Sequence, residues 1–224
     1  MRVVKVWDES IEPWSFVGTG DGTDEFHILR AVAEKYDGAC SLWFPQAPPM
    51  GKKTGLAALD SITAIKNPKI STFLFLIDRE HIGQGMRRSA RAKLDNNDVK
   101  GMIENRLLNK HIKIIKIGDN LPDGAFMIKG KLGSHILQIY VIIQGINLKI
   151  EEEISKLIEL EKNIMIPPEK ECIRGFFKEM FHRKSIGLGT AKLIEESSKN
   201  NLQKSFIGLT FILSEIEKQC SKNN

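Results

Sequence analysis

Residues 71–78 read Ser-Thr-Phe-Leu-Phe-Leu-Ile-Asp, and the run Phe73–Ile77 is apolar without interruption. A strand that buries one face alternates apolar and polar side chains. A strand that is apolar throughout must be covered on both faces, which is the situation of a central strand in a parallel sheet. Parallel neighbours cannot be joined by a tight turn and need crossover connections, usually helices. This one segment therefore predicts an α/β fold, with a mainly parallel sheet flanked by helices.

The rest of the chain supplies the crossovers. Val3–Trp7 and Trp14–Val17 are short apolar runs that read as strands. The second leads into Gly18-Thr-Gly-Asp-Gly22, a glycine-rich tight turn. Thr23 or Asp24 then offers a helix cap, and Phe26, Leu29, Ala33 and Tyr36 recur at helical spacing, so a helix is predicted over 24–36. Cys40–Phe44 reads as another short strand, and Gly55–Lys66 as a helix stopped by Pro68. Beyond residue 78 a loop with a turn of helix (82–97), a helix (98–110) and a half-exposed strand (111–117) are expected. A hairpin of 125–128 with 135–143, joined through Lys129–Gly133, should follow. From residue 148 the pattern is helical, with four helices over about 149–162, 168–181, 188–199 and 203–219. The expected organisation is an α/β domain over 1–147 and a C-terminal helical portion over 148–224 packed on it.

Composition narrows the function. In 224 residues, 42% are hydrophobic, enough for a real core and too many for a disordered chain. Lys and Arg number 33 against 28 Asp and Glu, a charge of +5 that permits a nucleic-acid partner, DNA or RNA, without requiring one. Cys40, Cys172 and Cys220 are widely spaced and odd in number, so no zinc site or disulfide framework is expected and reduced thiols in the cytoplasm are the plain reading. The chain turns acidic at Asp8, too early for a signal peptide, and no apolar run approaches membrane-spanning length. No partner in the membrane is expected.

Ligands of open parallel sheets bind beyond the carboxyl ends of the strands. Two acidic segments fall there: Asp21-Gly-Thr-Asp24-Glu25, between a strand and a helix, and Asp78-Arg79-Glu80, at the end of the strongest strand. Carboxylates converging from these turns make an oxygen-rich site suited to Mg²⁺ or Mn²⁺. Asp21, Asp78 and Glu80 are the candidate catalytic and metal-ligating residues, with Asp24 and Glu25 in support. His81 adjoins the corner and is a candidate proton shuttle. Arg79, Arg87, Arg88, Arg91 and Lys93 form the densest basic cluster, well placed to contact a phosphate backbone. The plainer alternatives are a common Gly-Asp-Gly turn, a helix-capping Asp24 and a solvated basic loop. Gly51-Lys-Lys-Thr54 lacks the upstream glycine of a phosphate-binding P-loop, and the glycines at 18, 20 and 22 miss the dinucleotide-binding spacing.

Within residues 17–80, Val17-Gly-Thr-Gly-Asp-Gly-Thr-Asp-Glu25 followed by a helix, and Phe73–Glu80, resemble the Toprim domain. In that fold a strand runs into an acidic turn, and a later strand ends in Asp-x-Asp. Toprim domains occur in topoisomerases, primases and OLD-family nucleases, and the resemblance implies a divalent-metal site for phosphodiester chemistry. This chain carries Asp21 where the family has Glu, and Asp78-x-Glu80 where it has Asp-x-Asp. Three functions stay open on these grounds: a metal-dependent nuclease-type enzyme, a non-catalytic nucleic-acid or partner-binding module, and a nucleotide-binding regulatory protein using the glycine turn.

Overall fold

The computed structural model describes residues 1–5, 15–19, 23–36, 40–46, 51, 53–65, 70–83, 86–91, 93–147 and 149–221. Asp21 lies outside the described residues, as do Gly20 and Gly22 of the glycine-rich turn.

The first half alternates strands and helices: β1 (Arg2–Val4), β2 (Ser15–Thr19), α1 (Thr23–Glu34), β3 (Ser41–Trp43), α2 (Ser61–Ala64) and β4 (Thr72–Asp78). A short helix α3 (Arg88–Arg91) and a longer α4 (Asn96–Leu108) lead to β5 (Lys113–Ile117), β6 (Ala125–Leu132) and β7 (His135–Gln144). Five helices close the described chain: α5 (Ile150–Lys162), α6 (Lys170–Phe181), α7 (Ile186–Glu196), α8 (Lys199–Ser205) and α9 (Ile207–Cys220). The seven strands form one sheet in the order β1-β3-β2-β4-β7-β6-β5. The pairs from β1 to β7 are parallel, and β7-β6-β5 is an antiparallel flank.

β4 is central and Thr72–Ile77 are all buried, as an uninterrupted apolar run requires. Its side chains divide between two cores. Leu74 and Leu76 join Tyr140 and Ile142 under α1, α5, α7 and α9, whose Leu29, Ile154, Leu157, Leu193 and Ile212 cover that face. Phe73, Phe75 and Ile77 join Ile139 and Val141 on the other face, under α4 and the 55–64 segment. The C-terminal helices therefore share one core with the sheet and complete the layer that α1 begins.

Several boundaries differ from the sequence reading. The 55–66 helix is a 3₁₀ segment (Gly55–Asp60) running into the four-residue α2. The hairpin strands extend to Leu132 and His135, leaving only Gly133-Ser134 as the turn. Gly133 has φ +60, the conformation such two-residue turns demand. Ser197 and Ser198 interrupt the C-terminal helices, Ser198 capping α8 through the Asn201 N–H, so there are five helices rather than four. The expectation of reduced thiols is corrected at one pair. Cys40 and Cys220 form a disulfide across 180 residues, with Cα atoms 5.8 Å apart. α9 returns to the start of β3, a proximity that sequence separation hides. With two of three thiols joined, cysteine usage no longer argues for a reducing compartment. Among the described residues, no helix is long and apolar enough to cross a membrane.

Candidate metal centre at the carboxyl edge of the sheet

β4 and β7 run parallel and end together, with Asp78 in register with Gln144. Both side chains lie on the face covered by α1 and α5, continuing the series Leu74–Leu76 and Tyr140–Ile142. Directly after Asp78 the chain makes one 3₁₀ turn, Arg79–His81. That turn folds Glu80 and His81 back toward Asp78, and ligand atoms of Asp78, Glu80 and His81 all lie within 4.8 Å of one another. The turn is held from below by the 55–60 segment. Gly55 has φ +57 and sits so close to the His81 carbonyl that a Cβ would stand 2.1 Å from its oxygen, so any other residue there would displace the turn.

Three further carboxylates surround these residues. Glu25, in the first turn of α1, is 8% exposed; Glu151 and Glu153, in the first turn of α5, are 3% and 8% exposed. Burial, then the charges of Glu25, Glu80 and Glu151, push the Asp78 carboxyl up to about 8. Burial also raises Glu153 well above the usual carboxylate range, with Asp78 and Glu152 adding to the shift and the Gly145 N–H opposing it. Carboxylates this close in a low dielectric are unstable as a set of anions, and they relieve that by taking protons or by taking a cation.

Several polar atoms at this edge are left over. Asp78 Oδ1 and Glu153 Oε2 are buried with no hydrogen-bond partner, and so are both amide atoms of the fully buried Gln144. Buried polar atoms without partners are rare and call for an explanation. Asp78 and Gln144 are in register at the strand ends, where a divalent cation with its retained waters would satisfy a carboxylate oxygen and the amide together. The donor set fits Mg²⁺ or Mn²⁺. The single imidazole favours Mn²⁺, which accepts mixed oxygen and nitrogen ligands more readily. Lys170 completes the rim. Its Nζ lies 3.5 Å from Glu151 Oε1, and the charges of Glu151, Glu80 and Asp78 hold the ammonium in its charged form.

The residues singled out from sequence separate into groups. Asp78, Glu80 and His81 come together. Glu25 faces Asp78, whereas its neighbour Asp24 points elsewhere: its Oδ1 accepts the Gly187 N–H at 2.8 Å and caps α7. Arg79, expected at a phosphate, is 4% exposed; its guanidinium donates to the Leu94 carbonyl at 3.0 Å and lies 3.6 Å from Asp123. It ties the 79–81 turn to the loop before α4 rather than facing solvent. Arg87 and Lys93 are exposed; the backbone of Arg88 and Arg91 forms α3, and their side chains lie outside the described residues. Gln144, Glu151, Glu153 and Lys170 were missed by the sequence reading. The three successive glutamates at 151–153 read as an ordinary helix start, and only the placement of α5 over the end of β7 aims two of them inward.

No family model, curated protein or solved structure matches this chain.

Proposed function

We propose that the chain is a divalent-metal-dependent enzyme that cleaves nucleic-acid phosphodiesters. Asp78, Glu80 and His81 are the inner ligands, and Glu25 and Glu151 supply the surrounding negative charge. The observation that carries this reading is the convergence of Asp78, Glu80 and His81 within 4.8 Å, beside buried carboxylate oxygens that no protein donor satisfies. The resemblance of residues 17–80 to Toprim domains supports it, because the two matched segments are the ones that carry Glu25 and Asp78.

A bound divalent cation polarises a phosphoryl oxygen and generates hydroxide near neutral pH. The chain's own residues have distinct tasks. Asp78 and Glu80 fix the cation against the strand end. Lys170, charged and half exposed beside Glu151, is placed to hold a non-bridging phosphate oxygen at the mouth of the site. Glu153, whose carboxyl burial shifts toward the protonated form, is the candidate to give a proton to a leaving oxygen.

The test is incubation of the purified protein with circular DNA, single-stranded DNA and RNA in Mn²⁺, in Mg²⁺ and in EDTA. Cleavage in Mn²⁺ or Mg²⁺ that disappears in EDTA, in Asp78→Asn and in Glu80→Gln is expected. Intact substrates in both cations would exclude the enzyme.

A further inference from the structure

The antiparallel flank of the sheet carries a second charged surface of opposite sign. β5 is the outermost strand, and β6 lies between it and β7. Lys113 stands opposite Lys131, and Lys116 opposite Lys129. Residues directly opposite on neighbouring strands project to the same face. Lys113 and Lys116 are three apart, so a regular strand would send them to opposite faces; a register shift between Ile114 and Lys116 turns both to the side of Lys129 and Lys131. All four are exposed, and Ile136, opposite Lys131 on β7, is 45% exposed beside them.

Like charges directly opposite across a ladder are destabilising. No described carboxylate forms an ion pair with any of the four. α9, which packs on β7 and β6 on this side, has Glu215 and Glu217, but these pair with Lys218 and Lys199. Lysines on an outermost strand protect it from pairing with another chain. That explanation covers Lys113 and Lys116 and fails for Lys129 and Lys131, which sit on an inner strand already paired on both edges. The bulge thus assembles four unneutralised ammonium groups on one flat face at a cost to the fold.

From this geometry we infer that the β5–β6 face is a docking platform for a nucleic-acid phosphate backbone. The proposal rests on the phosphodiesterase reading and extends it by separating where the polymer is held from where it is cut. Lys129 is opposite Gln138, six residues before Gln144 on β7, so the platform lies roughly 20 Å from the metal centre along the sheet. A polymer spans that distance and a mononucleotide does not, so the substrate class is an oligonucleotide or longer, gripped without regard to sequence. Phosphates laid along the paired lysines would neutralise the cross-strand repulsion, which supplies the charge complementarity.

The experiment measures binding of a fluorescently labelled single-stranded oligonucleotide, in EDTA, by anisotropy across a salt series. The wild type is compared with the double variant Lys129→Gln/Lys131→Gln. A charge-matched control, Lys156→Gln/Lys192→Gln, removes lysines from α5 and α7 that are paired with Glu159 and Glu195. The platform variant is expected to lose roughly 1.4–1.8 from the log–log salt slope and to bind roughly 10–100-fold more weakly at moderate salt, all sequences alike. The control should keep the wild-type slope, and the platform variant should melt no lower than wild type, showing that its fold is intact. An unchanged slope in the platform variant, an equal loss in the control, or wild-type binding to phosphatidylserine vesicles but not to the oligonucleotide would each overturn the platform. Mn²⁺ titration of the same proteins reports separately on the metal centre. Metal binding with slope-insensitive oligonucleotide binding removes the platform and leaves the centre. The reverse result removes the centre and leaves the platform.

Discussion

The two charged regions of this molecule teach different lessons because one is buried and the other is not. At the carboxyl edge of the parallel strands, Glu25, Glu151 and Glu153 are at most 8% exposed and Asp78 carries a buried oxygen without a partner. On the antiparallel flank, Lys113, Lys116, Lys129 and Lys131 are all exposed. Buried charge is costly in itself, so each carboxylate is individually consequential and its protonation moves. Exposed charge is screened, so a single lysine matters little and only the set can do anything. A metal centre needs the first arrangement and a polymer-gripping surface needs the second.

The sharpest way to break this contrast is pH. In the metal-free protein Asp78 has a folded pKa of about 8 against 3.8 in the unfolded chain, so the folded state holds the extra proton between those values. The fold is then most stable at the acid end of that window and loses stability as pH rises toward 8. Glu153 acts in the same direction. The expected loss between pH 5 and pH 9 from Asp78 alone is about 4 kcal/mol, measured by denaturant unfolding in EDTA, and saturating Mn²⁺ should flatten the slope. A flat metal-free profile would mean that the carboxyl edge is as well solvated as the lysine flank.

The next effect concerns the scaffold beneath the acidic edge. Leu76 is 1% exposed on the helix-covered face of β4, two residues before Asp78. Leu76→Ala should destabilise by about 2–5 kcal/mol and weaken metal binding with it, whereas a loss under about 1 kcal/mol would contradict a central, doubly covered strand. Smaller again, Glu153→Gln removes one buried carboxylate while keeping its shape. Metal affinity should fall by about tenfold, within the range for an outer partner, and part of the pH slope should vanish. The smallest effect lies on the flank. Lys129→Glu places opposite charges across the ladder from Lys116 and should stabilise by about 0.2–1 kcal/mol at low salt, fading as salt is added. Destabilisation there would remove the repulsion that distinguishes the two regions.

Much of the scaffold was legible because its signals are local. The apolar run of β4 announced a doubly covered strand, the spacing from Phe26 to Tyr36 announced α1, and Asp78 and Glu80 were readable as the end of that strand. The rest of the centre depended on tertiary placement. Asp24 and Glu25 are adjacent on a helix, about 100° apart, and nothing in their types says that one caps α7 while the other faces the sheet. Gln144 is simply the last residue of an apolar run, and its importance comes from pairing with Asp78. Arg79 looked like a phosphate contact because Asp78-Arg79-Glu80 reads as a polar corner, but the 3₁₀ turn sends its side chain inward. On the flank, the spacing Lys113-Ile-Ile-Lys116 does carry a trace of the bulge, since strict alternation would put only one residue between exposed lysines. The Cys40–Cys220 pair left no local signal at all.

The most direct test is calorimetric titration of Mn²⁺ into the folded wild type and Asp78→Asn near neutral pH, in two buffers of different ionisation enthalpy. The expected result is saturable binding by the wild type with release of about one proton, because the cation displaces the proton held on Asp78. The variant should bind at least roughly tenfold more weakly while keeping its circular dichroism spectrum. Wild-type protein that takes up no divalent ion, or an Asp78→Asn variant that binds it equally well, would contradict a metal centre at the carboxyl edge of the sheet.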